Sequence, residues 1–351
     1  MADPLPKSLS TSAQIVHILV IAGDHVEPEI MKESLRVLRT VEVTSQGRLK
    51  FELNHQFAGG CSIDEYGTPT TDEVLQMAKE ESDAVLLGSI GGPEWGTASP
   101  NPEPGLLRLR QHLDAFANIR LCVFYSRSLV PLSPLKQSVV EGTNFILLHE
   151  NTGGACFGTK VEGPEFASDS WAYSQGNGGP ATVWSSDKAN VLASGRLWRK
   201  VMSELFNQEF SHIELKHQLA DSLSMMMVKN PKTLNGIRHT DDTFSDIFAS
   251  LCGVPDGKTR CNGIYEPVHG SAPDISGKGI VNPVARILST AMMLRYSFNL
   301  DAEAAAIEAA VEKVLDGKDV GGLKIRTGDL GGAATTKEFD EAVCRKLNVR
   351  A

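Results

Sequence analysis

Asp242 and Asp246 stand four residues apart in TDDTFSDIFAS, so on a helix they share one face, and Asp221 in HQLADS supplies a third carboxylate. Three carboxylates completed by water suit a hard divalent ion such as Mg2+ or Mn2+. By spacing alone, an acidic i, i+4 pair is ordinarily a solvated helix face. A second constellation runs from Tyr265 to Pro283, YEPVHGSAPDISGKGIVNP. Gly270, Gly277 and Gly279 let backbone come close to a bulky group, while Pro267, Pro273 and Pro283 fix the path between them. His269, Asp274 and Asn282 punctuate the same run. An ordinary surface turn does not gather so many special residues, and the segment reads as a shaped, ligand-wrapping loop.

Such residues need a frame to hold them. IVHILVIA (15–22), DAVLLGSI (83–90) and NFILLHE (144–150) are short apolar runs of the buried-strand type. The first is followed by a Gly-Asp turn, by Pro28 as a helix opener and by an amphipathic stretch through Leu38. Strands alternating with helical periods indicate an α/β architecture. A chain of 351 residues exceeds what one core usually supports, so two domains are expected. The formal charge of −9, without a Lys/Arg block or aromatic-basic interleaving, argues against nucleic acid and for a small-molecule partner. Six scattered cysteines without CxxC spacing predict reduced thiols in a cytosolic setting. MADPLPKSLSTSAQ lacks an apolar targeting region and no apolar run approaches a membrane span, so a cytoplasmic location without membrane contact is expected. The Met225–Met227 run ahead of Pro231 reads as core or dimer interface rather than cofactor contact.

The loop is one of several colinear motifs. The others are GGCSIDEYGTPTTDEVL from Gly59, DAVLLGSIGGPEW from Asp83, PEPGLLRLR from Pro102, LSPLK from Leu132, TGGACFG from Thr152, DKANVL from Asp187 and DLGG from Asp329. Together they resemble the isopropylmalate/isocitrate dehydrogenase family over nearly the whole chain. The resemblance implies a two-domain α/β fold with the active-site cleft between the domains. Residues 1–115 plus 257–351 would form a discontinuous, cofactor-side domain, and residues 116–256 a middle domain with the dimer interface and metal ligands. It also implies metal-dependent, NAD-linked oxidative decarboxylation of a 2-hydroxy-3-carboxy acid such as 3-isopropylmalate, in leucine biosynthesis, by a homodimer with shared active sites. In that reaction hydride leaves C2 for NAD, the β-keto acid loses CO2, and the enolate is protonated.

Roles carry over residue by residue. Asp221, Asp242 and Asp246 match the aspartates that bind Mg2+ or Mn2+. Arg110 in LLRLRQ and Arg120 in FANIR match arginines that clamp substrate carboxylates, a task for which the guanidinium fork is suited and lysine is not. Glu103, Leu106 and Leu107 match the segment against the substrate's alkyl group, although leucines at this spacing equally describe a core-facing helix. Lys188 matches the lysine that helps remove the hydroxyl proton, normally in the partner subunit's site, with Asn190 beside it as a substrate-binding candidate. His269, Gly270, Ser271, Ala272, Asp274 and Asn282 match the loop that holds the adenosine end of NAD. Asp274 falls where an acidic residue takes the ribose 2′-hydroxyl, which favours NAD over NADP.

The chain departs from the family at one cleft. His149 replaces a third carboxylate-binding arginine, and a histidine holds a carboxylate only when protonated. Cys156 replaces the tyrosine that protonates the enolate; a thiol is shorter but still able to move a proton or act as a nucleophile. GDHVEPE places His25 and Glu27 where the family has two glycines, and a carboxylate there would oppose a pyrophosphate. NGIRHTDD and ASLCGVPDGKTRCNG replace a motif ahead of the aspartates and a glycine-rich segment on the nicotinamide side. These departures leave two alternatives open: a lyase, isomerase or cyclase activity in specialised metabolism, or a non-catalytic subunit.

Overall fold

Eleven strands are laid out in chain order: β1 (Gln14–Ile21), β2 (Leu49–Gln56), β3 (Ala84–Leu87), β4 (Ala117–Val123), β5 (Asn144–Glu150), β6 (Thr159–Glu162), β7 (Ala167–Ser170), β8 (Thr182–Asp187), β9 (Glu214–Leu219), β10 (Gly236–Thr240) and β11 (Gly263–Tyr265) among the described residues. The computed structural model describes residues 13–96, 100–115, 117–133, 136–150, 159–162, 167–170, 182–229, 236–240, 263–267 and 269–347. One sheet has the order β11-β3-β1-β2 and is parallel throughout. Its interior strands are apolar on both faces: Ile18 to Ile21 and Ala84 to Leu87 are all buried, as expected when helices cover both sides of a parallel sheet.

On one face lie the helices Glu27–Thr44, Val284–Tyr296, Asp301–Leu315 and Thr336–Lys346. Ile30, Met31, Val37, Leu38 and Val41 recur at helical spacing and are buried, and the first helix continues past Leu38 to Thr44. Residues Arg286 to Leu294 of the second are buried all round, so this helix is interior rather than amphipathic. Phe51, Tyr265, Ile287, Ile307 and Phe339 join the core between them. A Thr335/Glu338 capping box starts the last helix. The run 83–90 is strand only from Ala84 to Leu87, because Gly88 passes tight against the end of β1. A side chain there would meet Ala22 O at 2.0 Å, while its N–H donates to Ile21 O.

The second sheet has the order β4-β5-β10-β8-β9; only the β4–β5 pair is antiparallel. Trp198, Met202 and Phe206 of the helix Ala193–Glu209 pack on Val183 of β8. β6 and β7 form a separate antiparallel pair. In both sheets several polar residues follow the carboxyl ends of parallel strands. Glu27 follows β1, Ser89 follows β3, His269 follows β11, Lys188 follows β8 and Asp221 follows β9, the edge where open α/β sheets bind ligands.

Candidate functional site

Asp24, just after β1, holds three turns together. Its carboxylate accepts the N–H groups of Gly60 at 2.8 Å, Cys61 at 2.8 Å and Gly91 at 2.7 Å, while its own N–H donates to Ser89 O. Gly23, at φ 81°, presses on Ser89 O, where a side chain would come within 2.6 Å. His25 occupies the left-handed region at φ 56°, a conformation that suits the glycine expected there. Its ring lies 5.6 Å from that of Trp95, with Nε2 3.3 Å from Glu94.

Glu27 begins the helix Glu27–Thr44 and is fully buried. Burial pushes its carboxyl up to about 8, against the pull of the Arg286 guanidinium and of Ser89. The first-turn dipole also favours ionisation, but by only about 0.3–1 kcal/mol, and desolvation shifts of up to roughly 3–5 pKa units outweigh it. The repulsion expected of a carboxylate at this turn therefore does not arise at neutral pH, because the group is held protonated.

The loop after β11 is tied to these turns. Ser89 Oγ donates to His269 O, Ser271 Oγ to Gly91 O at 2.6 Å, and Val26 N to Ser271 O at 3.2 Å. His269 is half-buried, with a pKa lowered by burial and by Arg286. Ala272, at φ 40°, turns the chain into the short 3-10 helix Pro273–Ile275, on which Asp274 is exposed. Side chains at Gly270, Gly277 or Gly279 would meet nothing within 4 Å, so the backbone is open to close approach, as an adenosine requires. Asn282 spends its amide on the frame, donating to Asp329 at 2.8 Å and accepting from Val284 N at 3.0 Å.

On the second sheet, Lys188 Nζ lies 3.0 Å from Asp221 Oδ1. The hydrogen bond from Lys188 holds the Asp221 carboxyl below the usual carboxylate range, so it is ionised at neutral pH and fits a hard-cation donor set. Asn190 is exposed in the turn after β8. Arg110 lies 3.4 Å from Glu266, at the end of β11. On the helix Glu103–His112, Glu103 is exposed, Leu107 is half-buried and Leu106 takes a core place with Leu19, Val85 and Leu109. Arg120 and His149 lie on adjacent antiparallel strands, paired in register with Leu147 and Asn118. Cys156, Asp242 and Asp246 lie outside the described residues, and among those described no three His, Cys, Asp or Glu side chains gather as a metal site. Met225 is exposed on the helix Ala220–Lys229.

Ser203, His217 and Asp187 imitate a hydrolytic triad without its geometry. Ser203 Oγ is 2.9 Å from His217 Nε2, but Nδ1 is 4.0 Å from Asp187, whose carboxylate takes two bonds from Arg199. The hydroxyl donates to Arg199 O inside its own helix, so the arrangement is structural.

A family model described as isocitrate/isopropylmalate dehydrogenase matches residues 17–175 and 164–343. The chain belongs to this family. Among isocitrate/isopropylmalate dehydrogenase relatives, the chain is 55% identical to the 3-isopropylmalate dehydrogenase of Hapsidospora chrysogena, over 94% of this chain and 96% of that protein. It is 46% identical to the 3-isopropylmalate dehydrogenase of Schizosaccharomyces pombe, covering 94% and 98%. The fold is shared with a beta-decarboxylating dehydrogenase from Thermococcus kodakarensis in its apo form, at TM-score 0.69, 28% identity and coverage of 95% and 96%. Isocitrate dehydrogenase from Methylococcus capsulatus gives TM-score 0.78 at 24% identity, covering 95% and 99%. Two polar residues central to the family turns, Asp24 and Ser89, escaped the sequence reading. The Gly-Asp pair of GDHVEPE was the available signal for the first, since Asp caps turns by accepting backbone N–H groups.

Proposed function

We propose that the chain catalyses NAD-linked, divalent-metal-dependent oxidative decarboxylation of a 2-hydroxy-3-carboxy acid of the 3-isopropylmalate type, the corresponding step of leucine biosynthesis, as a cytoplasmic homodimer. The 55% identity over 94% of the chain to a protein named for this activity carries the reading. Residues 1–115 plus 257–351 would carry the cofactor and residues 116–256 the metal ligands and dimer contact. When bound, NAD supplies a hydride acceptor at C2 and the Mg2+ or Mn2+ ion polarises the oxygen on that carbon.

In this reading His269, Gly270, Ser271 and Ala272 present the open backbone to adenosine, and Asp274 takes a ribose hydroxyl. Arg110 and Arg120 hold substrate carboxylates, and His149 stands where a third carboxylate-binding arginine is expected. Lys188 takes part in removing the hydroxyl proton, and its ion pair with Asp221 is consistent with the two working at one site. Asp242 and Asp246 complete the ligand set, and Cys156 stands where a proton donor is needed. The test is NADH formation from 3-isopropylmalate with Mg2+ or Mn2+. Turnover that disappears on chelation is expected; folded protein that neither turns over nor binds NAD in calorimetry overturns the reading.

A further inference from the structure

We propose that Glu27 is a positioning residue for the cofactor loop: its buried carboxyl, set against the His269 imidazole, fixes the loop that receives adenosine and makes NAD binding pH-dependent. The inference deepens the NAD reading and rests on it. Glu27 is buried completely, and its carboxyl faces Ser89 and the His269 ring rather than water. The Ser89 hydroxyl also donates to His269 O, which ties the loop to the same spot. One Glu27 oxygen is 3.3 Å from His269 Nδ1. A fully buried carboxyl is costly, so its retention at a backbone turn asks for a reason.

The charged or titratable groups facing Glu27 are His269 from the loop, Glu266 from the end of β11 and Arg286 from the helix Val284–Tyr296. Arg286 is already committed, donating to Leu87 O and Tyr265 O. While Glu27 is protonated, its O–H donates to Nδ1, which leaves the His269 proton on Nε2. That ring nitrogen is buried and has no partner among the described residues. It then serves as a donor to an oxygen of an anionic cofactor. When Glu27 ionises, Nδ1 must carry the proton and is shared with Gly270 O at 3.1 Å, and a buried negative charge stands under the place of a pyrophosphate. Both changes weaken NAD binding in the same direction.

Calorimetric titration of NAD into the full chain at about pH 6.5 and about pH 9.5, on either side of the carboxyl's transition, tests this together with hydrogen exchange of residues 269–276 without NAD. For the natural protein, affinity falls about tenfold at the higher pH. Glu27→Gln keeps the low-pH affinity within about twofold at both, and Glu27→Ala binds weakly at both and exchanges faster in the loop. A flat pH profile in the natural protein, an equally steep one in Glu27→Gln, or unchanged loop protection in Glu27→Ala overturns the role of Glu27 alone. Absence of NAD binding by the natural protein at both pH values overturns the cofactor reading and this inference together.

Discussion

Glu27 and Asp221 occupy the same local position, the first turn of a helix that follows a parallel strand, and their carboxyls behave in opposite ways. Glu27 is enclosed and pushed up to about 8; Asp221 is mostly exposed, paired with Lys188 and held low. Local structure favours the anion at both, since helix N-termini attract negative charge. Tertiary surroundings decide the outcome: water and an ammonium keep one charged, and a dry pocket keeps the other neutral. Two carboxyl side chains at the same place in a strand-helix unit thus end in opposite ionisation states.

The sharpest break in the comparison is at the exposed turn. Lys188→Ala is expected to lower kcat about 100-fold or more while the melting temperature stays within roughly a degree, because exposed ion pairs contribute little to stability. Steady-state kinetics beside calorimetric melting checks both halves.

Glu27 should show the reverse balance. Its folded-state pKa lies above the ordinary 4.5, so the folded chain keeps a proton that the unfolded chain releases, and stability falls as pH rises from about 4.5 to about 8. Glu27→Gln removes that dependence and is expected to raise stability at pH above 8 by on the order of 2–3 kcal/mol, read by denaturant unfolding across pH. Asp340, on the helix Thr336–Lys346, is a second instance. Burial and the nearby Glu33 push its carboxyl up to about 8, partly offset by Arg36 at 3.0 Å. Asp340→Asn should flatten the alkaline loss further, by about 1 kcal/mol, since it also gives up the bond to Arg36. For stability the smallest change is at Asp221: Asp221→Asn should abolish metal-dependent turnover yet leave the unfolding midpoint at neutral pH within roughly a degree.

The frame was legible where period and punctuation were strong. NFILLHE is β5 residue for residue, and Pro28 does open the helix that follows β1. The run from Asp83 read too long, because what ends β3 is the approach of Gly88 to Ala22 across the sheet, a contact between distant parts of the chain. The candidate site was less legible. Asp221 is a solvated acidic residue by composition, and only the fold brings Lys188 to it from the end of another strand. Glu27 read as a charge intruding on the cofactor, since a sequence does not show that a side chain turns inward, away from water, and keeps its proton.

The place of β11 has a consequence for how the chain is made. β3 lies inside the first sheet only because β11 pairs with it, Gly263 with Ala84, and Arg286 then pins both strands by their terminal carbonyls at Leu87 and Tyr265. During synthesis β1, β2 and β3 leave the ribosome long before their last neighbour, so the apolar edge of β3 stays open while the whole second sheet is being made. Closing so distant a pair is slow, and a chain interrupted before residue 263 would carry a ready template for association with other unfinished copies. The nascent protein's solubility then depends on the arrival of the same segment that runs on into the loop of residues 269–282.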